Sequence, residues 1–446
     1  MKGFGFFIRS LLLMTLFNCV GLWALGGSAL LKGLGIAALA AHFLVFLGKP
    51  QLHGKSEKLS KRLKRLSDGA YTLGIGRLLL WAELPAIILL AVFGGLSVAR
   101  NIVNGIIAYL FLLILNAAGV GRLAISSKQV KVPHYLMLLL TWYIPVVNSL
   151  VLRKLHKLAR TEYRVEMAKD DLNDMRAENQ ICKTKYPILM VHGIFFRDWQ
   201  YFNYWGRIPK ELVKNGATVF YGCQQSANTI EASAKEIAAQ IKSIIEQTGA
   251  EKINIIAHSK GGLDCRYAIS RLGMDKYVAS LTTINTPHRG CKWVDDVLGK
   301  IPENIQQMVD GKYNSLFSKL GDKDPHFLLG VNELTYTACE RFNAETPDSP
   351  NVRYHSIMSR MSSPKAAGFP LNFGYHLGKK FDKDGNDGLV GVESALYGSR
   401  RTMVPDTKKR GISHGDMIDL MRENIDGFDV REFYVDIVKE LKEEGL

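Results

Sequence analysis

The chain has 446 residues, 47% of them hydrophobic and 22% charged, enough for more than one domain at the usual ~100 to 200 residues each. A net charge of +15 first suggests nucleic acid or an anionic membrane surface. Residues 1–152, however, carry fifteen Lys or Arg against only Glu57, Asp68 and Glu83, so the excess sits in the most apolar part of the chain, which excludes a basic nucleic-acid-binding globule and points to lipid headgroups.

In chain order, five apolar runs come first, at 11–31, 33–48, 78–98, 102–121 and 135–152. Each is near the ~20 residues that span a hydrocarbon core as a helix. A cleaved signal peptide is the rival reading of the first, with Lys2 and Arg9 ahead of it and small residues at Ala24-Leu25-Gly26. A second run follows at once, and three more come later, so about five membrane helices are expected. Glu83 reads as a structural pair with Arg77 or a snorkelling group rather than a functional carboxylate. Seven bases at 49–65, and Arg122, Lys128 and Lys131, make two basic loops that should face the cytoplasm. Five spans then put the rest of the chain on the outer face, against the pull of Arg153, Lys154, Lys157 and Arg160.

Residues 153–185 lack Gly and Pro and space their apolar residues as a helix does, so an amphipathic linker is expected there. From Tyr186 the pattern changes. Short apolar runs at 188–191, 218–221, 253–256, 278–284 and 352–357 alternate with helical stretches such as 230–247, as buried parallel strands with crossover helices do. Six Cys (19, 182, 223, 265, 291, 339) lack the paired spacing of a zinc site, and no Gly-rich phosphate loop is present.

The strongest local signal is Ile253-Asn-Ile-Ile-Ala-His-Ser259-Lys-Gly-Gly262, an apolar strand that passes through Ala-x-Ser-x-Gly into a helix. A nucleophile on a sharp strand-to-helix turn needs small residues two before and two after it. Ser259 as a plain helix cap is the bland alternative. The run 188–191 ends in His192-Gly193-Ile194. Ile194 and Lys260 are placed to give the two backbone N–H groups that acyl transfer aims at an oxyanion. His192 and His258 read as structural neighbours. Downstream, Asp384 and Asp387 compete as the acid in Asp384-Gly-Asn-Asp387-Gly-Leu-Val390, and His414 stands in a Gly-flanked loop. The order Ser, acid, His is that of a hydrolase triad.

Together with Tyr186-Pro-Ile-Leu-Met-Val-His-Gly193, Thr282-Thr-Ile-Asn-Thr-Pro-His-Arg-Gly290, Asn386-Asp-Gly-Leu-Val390 and Ser413-His414-Gly-Asp416, these residues resemble the bacterial triacylglycerol lipases of the α/β-hydrolase family. The resemblance covers residues 186 to about 440. It implies that the α-helical membrane region read from the apolar runs is followed by an α/β-hydrolase domain with a mostly parallel sheet and flanking helices, in which the segment at about 291–341 has the length and apolar content of a helical cap. The expected boundaries are 1–152, 153–185 and 186–446. It also implies Ser259 as nucleophile, Asp387 as acid and His414 as base, with Ile194 and Lys260 giving the oxyanion donors. No cofactor is required. A structural calcium near the histidine would use Asp416, but Leu420 stands where that pattern wants an oxygen donor.

The implied activity is serine carboxylester hydrolysis of lipid esters at a bilayer. The alternatives are acyl transfer with the same triad, and a membrane scaffold with a silent hydrolase-like domain. A scaffold needs neither triad nor oxyanion donors. The expected partners are a lipid ester and the membrane, without nucleic acid.

Overall fold

The computed structural model describes residues 2–24, 27–51, 59–194, 204–225, 227–319, 322, 324–407 and 410–446. The small residues at 25–26, part of the basic loop at 49–65 and Leu320 of the expected cap lie outside the described residues. The chain divides into two compact units, Met1–Asp171 and Leu172–Leu446.

Unit 1 is helical: α1 (Lys2–Phe17), α2 (Cys19–Ala24), α3 (Ala29–Gly48), α4 (Lys61–Phe93), α5 (Val98–Ser126), α6 (Val132–Thr141) and most of α7 (Pro145–Arg176). Among the described residues α3, α4 and α5 are long and apolar enough to cross a membrane. Ser60 and Ser97 cap α4 and α5 by accepting from Leu63 N and Arg100 N, which satisfies N–H groups that a helix start leaves open. Phe17, Phe43 and Phe111 pack together inside, while Leu30, Leu84, Ile88 and Val92 face outward. An apolar exterior around a packed interior suits lipid as solvent.

Three expectations for this region need correction. The run 135–152 is not one span: α6 ends at Thr141 and α7 starts at Pro145, because the residues before a proline are driven out of the helical region and the Pro ring starts a helix better than it continues one. Glu83 does not pair with Arg77. It accepts from Asn18 Nδ2 at 2.8 Å, and Asn18 Oδ1 accepts from Asn104 Nδ2 at 2.8 Å, whereas Arg77 donates to His156 Nδ1 at 2.8 Å. Finally, the expected boundary at 152 falls inside a helix: α7 runs through to Arg176, so residues 153–171 are helical as expected but belong to unit 1. Leu155 and Ala159 of α7 are buried against Leu63, Leu66 and Leu73 of α4, within unit 1.

Among the described residues unit 2 is built on six parallel strands, β1 (Ile188–Val191), β2 (Val219–Tyr221), β3 (Ile253–His258), β4 (Val278–Ile284), β5 (Arg353–Met358) and β6 (Arg401–Met403), in the order β2-β1-β3-β4-β5-β6. Strand alternation sorts side chains between two faces. Leu189, Val191, Ile253 and Ile255 meet α9 (Ile230–Thr248) and α10 (Lys260–Arg271), and Ile188, Met190 and Ile256 meet α8 (Ile208–Lys214) and α17 (Val430–Glu443). Thr229 caps α9 by accepting from Ala232 N, and Gly249 ends it at φ 68°. Between β4 and β5 lie α11 (Lys292–Leu298), α12 (Glu303–Lys319), α13 (Phe327–Asn332) and α14 (Tyr336–Glu345). The short α15 (Leu371–Gly378) and α16 (Val392–Ala395) flank the Asp387 turn.

Candidate active site

The chain order reverses across β1, which lies between β2 and β3, so the carboxyl ends of β1 and β3 flank a crevice where α/β sheets bind ligands. Ser259 sits there, between β3 and α10, at φ 55° and ψ −135°, a region sparsely populated for residues with a Cβ. The turn is held by Ser259 N–H donating to Ile284 O (3.0 Å) and Gly262 N–H donating to Ser259 O (3.1 Å). Glycine is required around it: a Cβ on Gly261 would strike His192 O, and one on Gly262 the Thr286 hydroxyl. Ala257, fully buried, fills the remaining small position. Ser259 Oγ has no hydrogen-bond partner among the described residues.

Asp387 and His414, 27 residues apart, meet through Oδ2 and Nδ1 at 2.6 Å. Asp387 is fully buried, and its carboxylate also accepts from Asn285 Nδ2 (2.6 Å), Leu389 N (2.9 Å) and Val390 N (2.8 Å). Four donors around one carboxylate fix its position and orientation. His414 is further tied by its own N–H to Asp387 O at 2.8 Å. Asp384, the competing acid, is exposed. The His414 ring lies 4.4 Å, centroid to centroid, from His258, the residue before Ser259, so the three expected residues gather at one end of the sheet. An acceptor at Nδ1 selects the tautomer with Nδ1–H, leaving the Nε2 lone pair to take a proton.

His258 is buried, bonded through Nδ1 to Tyr204 Oη at 2.7 Å, and held well below the usual imidazole range by burial and by His414. It stays neutral beside the serine, in keeping with a structural neighbour. His192 Nδ1 contacts Gly193 O at 2.9 Å. Two residues here escaped the sequence reading. Asn285, at φ 49° just past β4, also donates to Ser359 Oγ (2.8 Å) and thereby anchors Asp387; it stood inside the lipase-like run 282–290 without a role assigned to it. Tyr204 Oη accepts from Gly193 N at 3.0 Å, linking the loop after β1 to His258.

The backbone N–H groups of Ile194 and Lys260 have no acceptor among the described residues. Lys260 is the first residue of α10, where helix N–H groups are unsatisfied and anions are favoured. Its side chain takes no part: Nζ pairs with Asp264 Oδ1 at 2.6 Å beside Ser233 Oγ, and burial still pushes the Asp264 carboxyl up to about 7 against that pairing. The Ile194 side chain packs with Phe317 of α12 and Phe327 of α13, so the helices between β4 and β5 rest on the expected oxyanion residue.

Asp416 does not fit a calcium ligand. Its oxygens are bonded to Arg410 Nη2 (2.7 Å), Ser413 N (2.8 Å) and Ser413 Oγ (2.7 Å). Arg410 also reaches Glu423 at 3.4 Å and the Ala366 carbonyl. A guanidinium already supplies the positive charge, and among the described residues no three His, Cys, Asp or Glu side chains gather as a metal site.

Residues 186–376 match the model of the alpha/beta hydrolase fold family. A triacylglycerol lipase of Vibrio cholerae serotype O1 is 38% identical over 245 residues, which are 48% of this chain and 75% of that protein. The chain belongs to the triacylglycerol lipase family of α/β-hydrolases. The triacylglycerol lipase of Pseudomonas fragi is 28% identical over 59% of this chain and 98% of its own length. That of Burkholderia plantarii is 31% identical over 39% of this chain and 51% of its length. The chain thus spans about half the length of some curated relatives, and unit 1 lies outside the residues that match the family model.

Proposed function

We propose that this lipase-family chain is a membrane-embedded serine carboxylester hydrolase acting on lipid esters. The observation that carries the reading is the buried Asp387–His414 contact beside the strained Ser259 turn. In this reading His414 Nε2 takes the Ser259 proton as Oγ attacks the ester carbonyl, and the Ile194 and Lys260 N–H groups receive the developing oxyanion. His414 then returns the proton to the leaving alcohol. Water, activated by the same imidazole, hydrolyses the acyl-enzyme. Lipid rather than soluble ester is supported by the apolar helices of unit 1 and by Ile305, Met308 and Leu316, which leave an exposed apolar stripe along α12 in the expected cap segment at 291–341. The test is a fluorophosphonate probe on the purified full chain, followed by digestion and mass analysis. The adduct is expected on Ser259. No adduct on the folded protein would leave a binding module in its place.

We also propose that the hydrolase domain faces the cytoplasm, the reverse of the placement a fifth full span implies. Tyr109 Oη donates to Trp142 O at 2.6 Å, at the tip between α6 and α7. Tyr109 lies eleven residues inside the Val98 end of α5, roughly 16 Å at 1.5 Å per residue, so the α6–α7 hairpin stops short of the far side. On its return, Glu162 of α7 accepts from Arg62 (2.7 Å), Ser127 Oγ (2.6 Å) and Lys128 N (3.0 Å), beside both basic loops. The α6–α7 hairpin therefore returns to the side where α5 ended, that of the basic loops. In a Cys223→Ser background, an impermeant maleimide on intact cells is expected to label Val98→Cys but to reach Ser399→Cys only after permeabilisation. The reverse pattern would return the enzyme to the outer face.

A further inference from the structure

Away from the catalytic residues, α4 and α7 enclose a cleft of about 230 Å³ lined by Arg77, Arg153, His156, Lys157, Arg160 and Arg164. Its lining contains no acid. The five α7 members recur at intervals of three and four residues, so they occupy one helix face. Like charges at that spacing repel along a helix, and among the described residues none of the five Arg and Lys side chains has an acidic partner. The two acids of the same helix that lie among these bases are committed elsewhere: Glu162 and Glu166 turn to Arg62. Arg77 donates through Nη1 to His156, while its Nε is buried without a partner among the described residues. A cationic pocket so arranged is incomplete without an anion.

Its depth selects the anion. In α4, Arg77 is the last charged residue before the apolar stretch, broken only by Glu83, that runs to Phe93. In α7, Arg153 directly follows residues 145–152, which carry no charge and are apolar but for Asn148 and Ser149. Both helices thus pass from hydrocarbon to headgroup level at the cleft. The cleft is several times the ~30 Å³ share of one water molecule in the liquid, room for a tetrahedral oxyanion with its substituent. Guanidinium groups match phosphate oxygens in pairs.

We propose that this cleft binds the phosphate of an anionic phospholipid headgroup, in the leaflet on the side of the basic loops. The proposal rests on the membrane-embedded reading above, and it holds the lipid in a site separate from Ser259. The test reconstitutes the full chain into phosphatidylcholine vesicles with and without one part in five of phosphatidic acid, and reads binding of headgroup-adjacent fluorescent phosphatidic acid together with the thermal midpoint. Arg153→Gln, Lys157→Gln and Arg160→Gln combined, all exposed side chains, are expected to weaken binding about tenfold or more and to abolish the rise in midpoint that phosphatidic acid gives the unaltered chain. Lys61→Gln, Lys64→Gln and Arg65→Gln combined remove the same charge elsewhere and are expected to retain most of the binding. Equal loss in both triples would reduce the effect to general surface charge and overturn the site. Full competition by inorganic phosphate would make the ligand a soluble phosphate and overturn the lipid assignment. Retention of every variant in carbonate-washed membranes separates failure of the cleft from failure of the membrane reading.

Discussion

Ser259→Ala is expected to lower hydrolysis of a p-nitrophenyl ester by on the order of 10⁴-fold or more, because the acyl-enzyme cannot form and only the oxyanion donors and binding remain. The fold should be untouched. Ser259 Oγ makes no hydrogen bond among the described residues, and the backbone bonds to Ile284 and Gly262 that shape the turn do not involve the hydroxyl. Alanine meets the same φ of 55° with a Cβ of the same kind, so it adds no new strain at that position. Circular dichroism and the thermal midpoint should match those of the unaltered protein while turnover disappears. Turnover that survives at a tenth or more would remove Ser259 from the mechanism.

Much of this site was legible because its residues sit where the backbone itself is constrained. An apolar strand that ends in Ala-His-Ser259-Lys-Gly-Gly announces a turn only small neighbours permit, and Gly261 and Gly262 do press against His192 O and Thr286. The parallel strands were equally plain, since burial on both faces leaves near-continuous apolar runs. β6 was not, being three residues with an exposed first one. Asn285 and Tyr204 were hidden for a different reason. Each acts through one side-chain atom on a partner far off in sequence, Asp387 in one case and Gly193 and His258 in the other, and no local pattern records such a pairing. The run 135–152 misled because hydropathy averages over a window and is blind to a break: Pro145 costs little apolarity but separates two helices. Asp416 illustrates the limit of resemblance. Its position matches a calcium pattern, and only the fold brings Arg410 onto it.

Asp387→Asn should come close to Ser259→Ala in its effect on turnover and exceed it in its effect on stability. The amide presents one oxygen and one NH₂ where the carboxylate presented two acceptors. Whichever way it turns, its NH₂ faces donors: Asn285 Nδ2 and His414 Nδ1–H on one side, or Leu389 N and Val390 N on the other. If the imidazole changes tautomer to accommodate it, Nε2 carries the proton and can no longer accept one from Ser259. A loss on the order of 10⁴-fold in kcat follows from the wrong tautomer. If the amide flips instead, two buried N–H groups go unpaired at about 1–3 kcal/mol each, so the thermal midpoint should fall as well. Asp384→Asn changes an exposed carboxylate whose residue accepts from Arg360 through its backbone carbonyl, and kcat/KM should stay within about twofold, as for surface substitutions. Comparable losses in the two variants would mean that the acid acts through the whole turn rather than through the Asp387 oxygens, and a larger loss at Asp384 would reassign it.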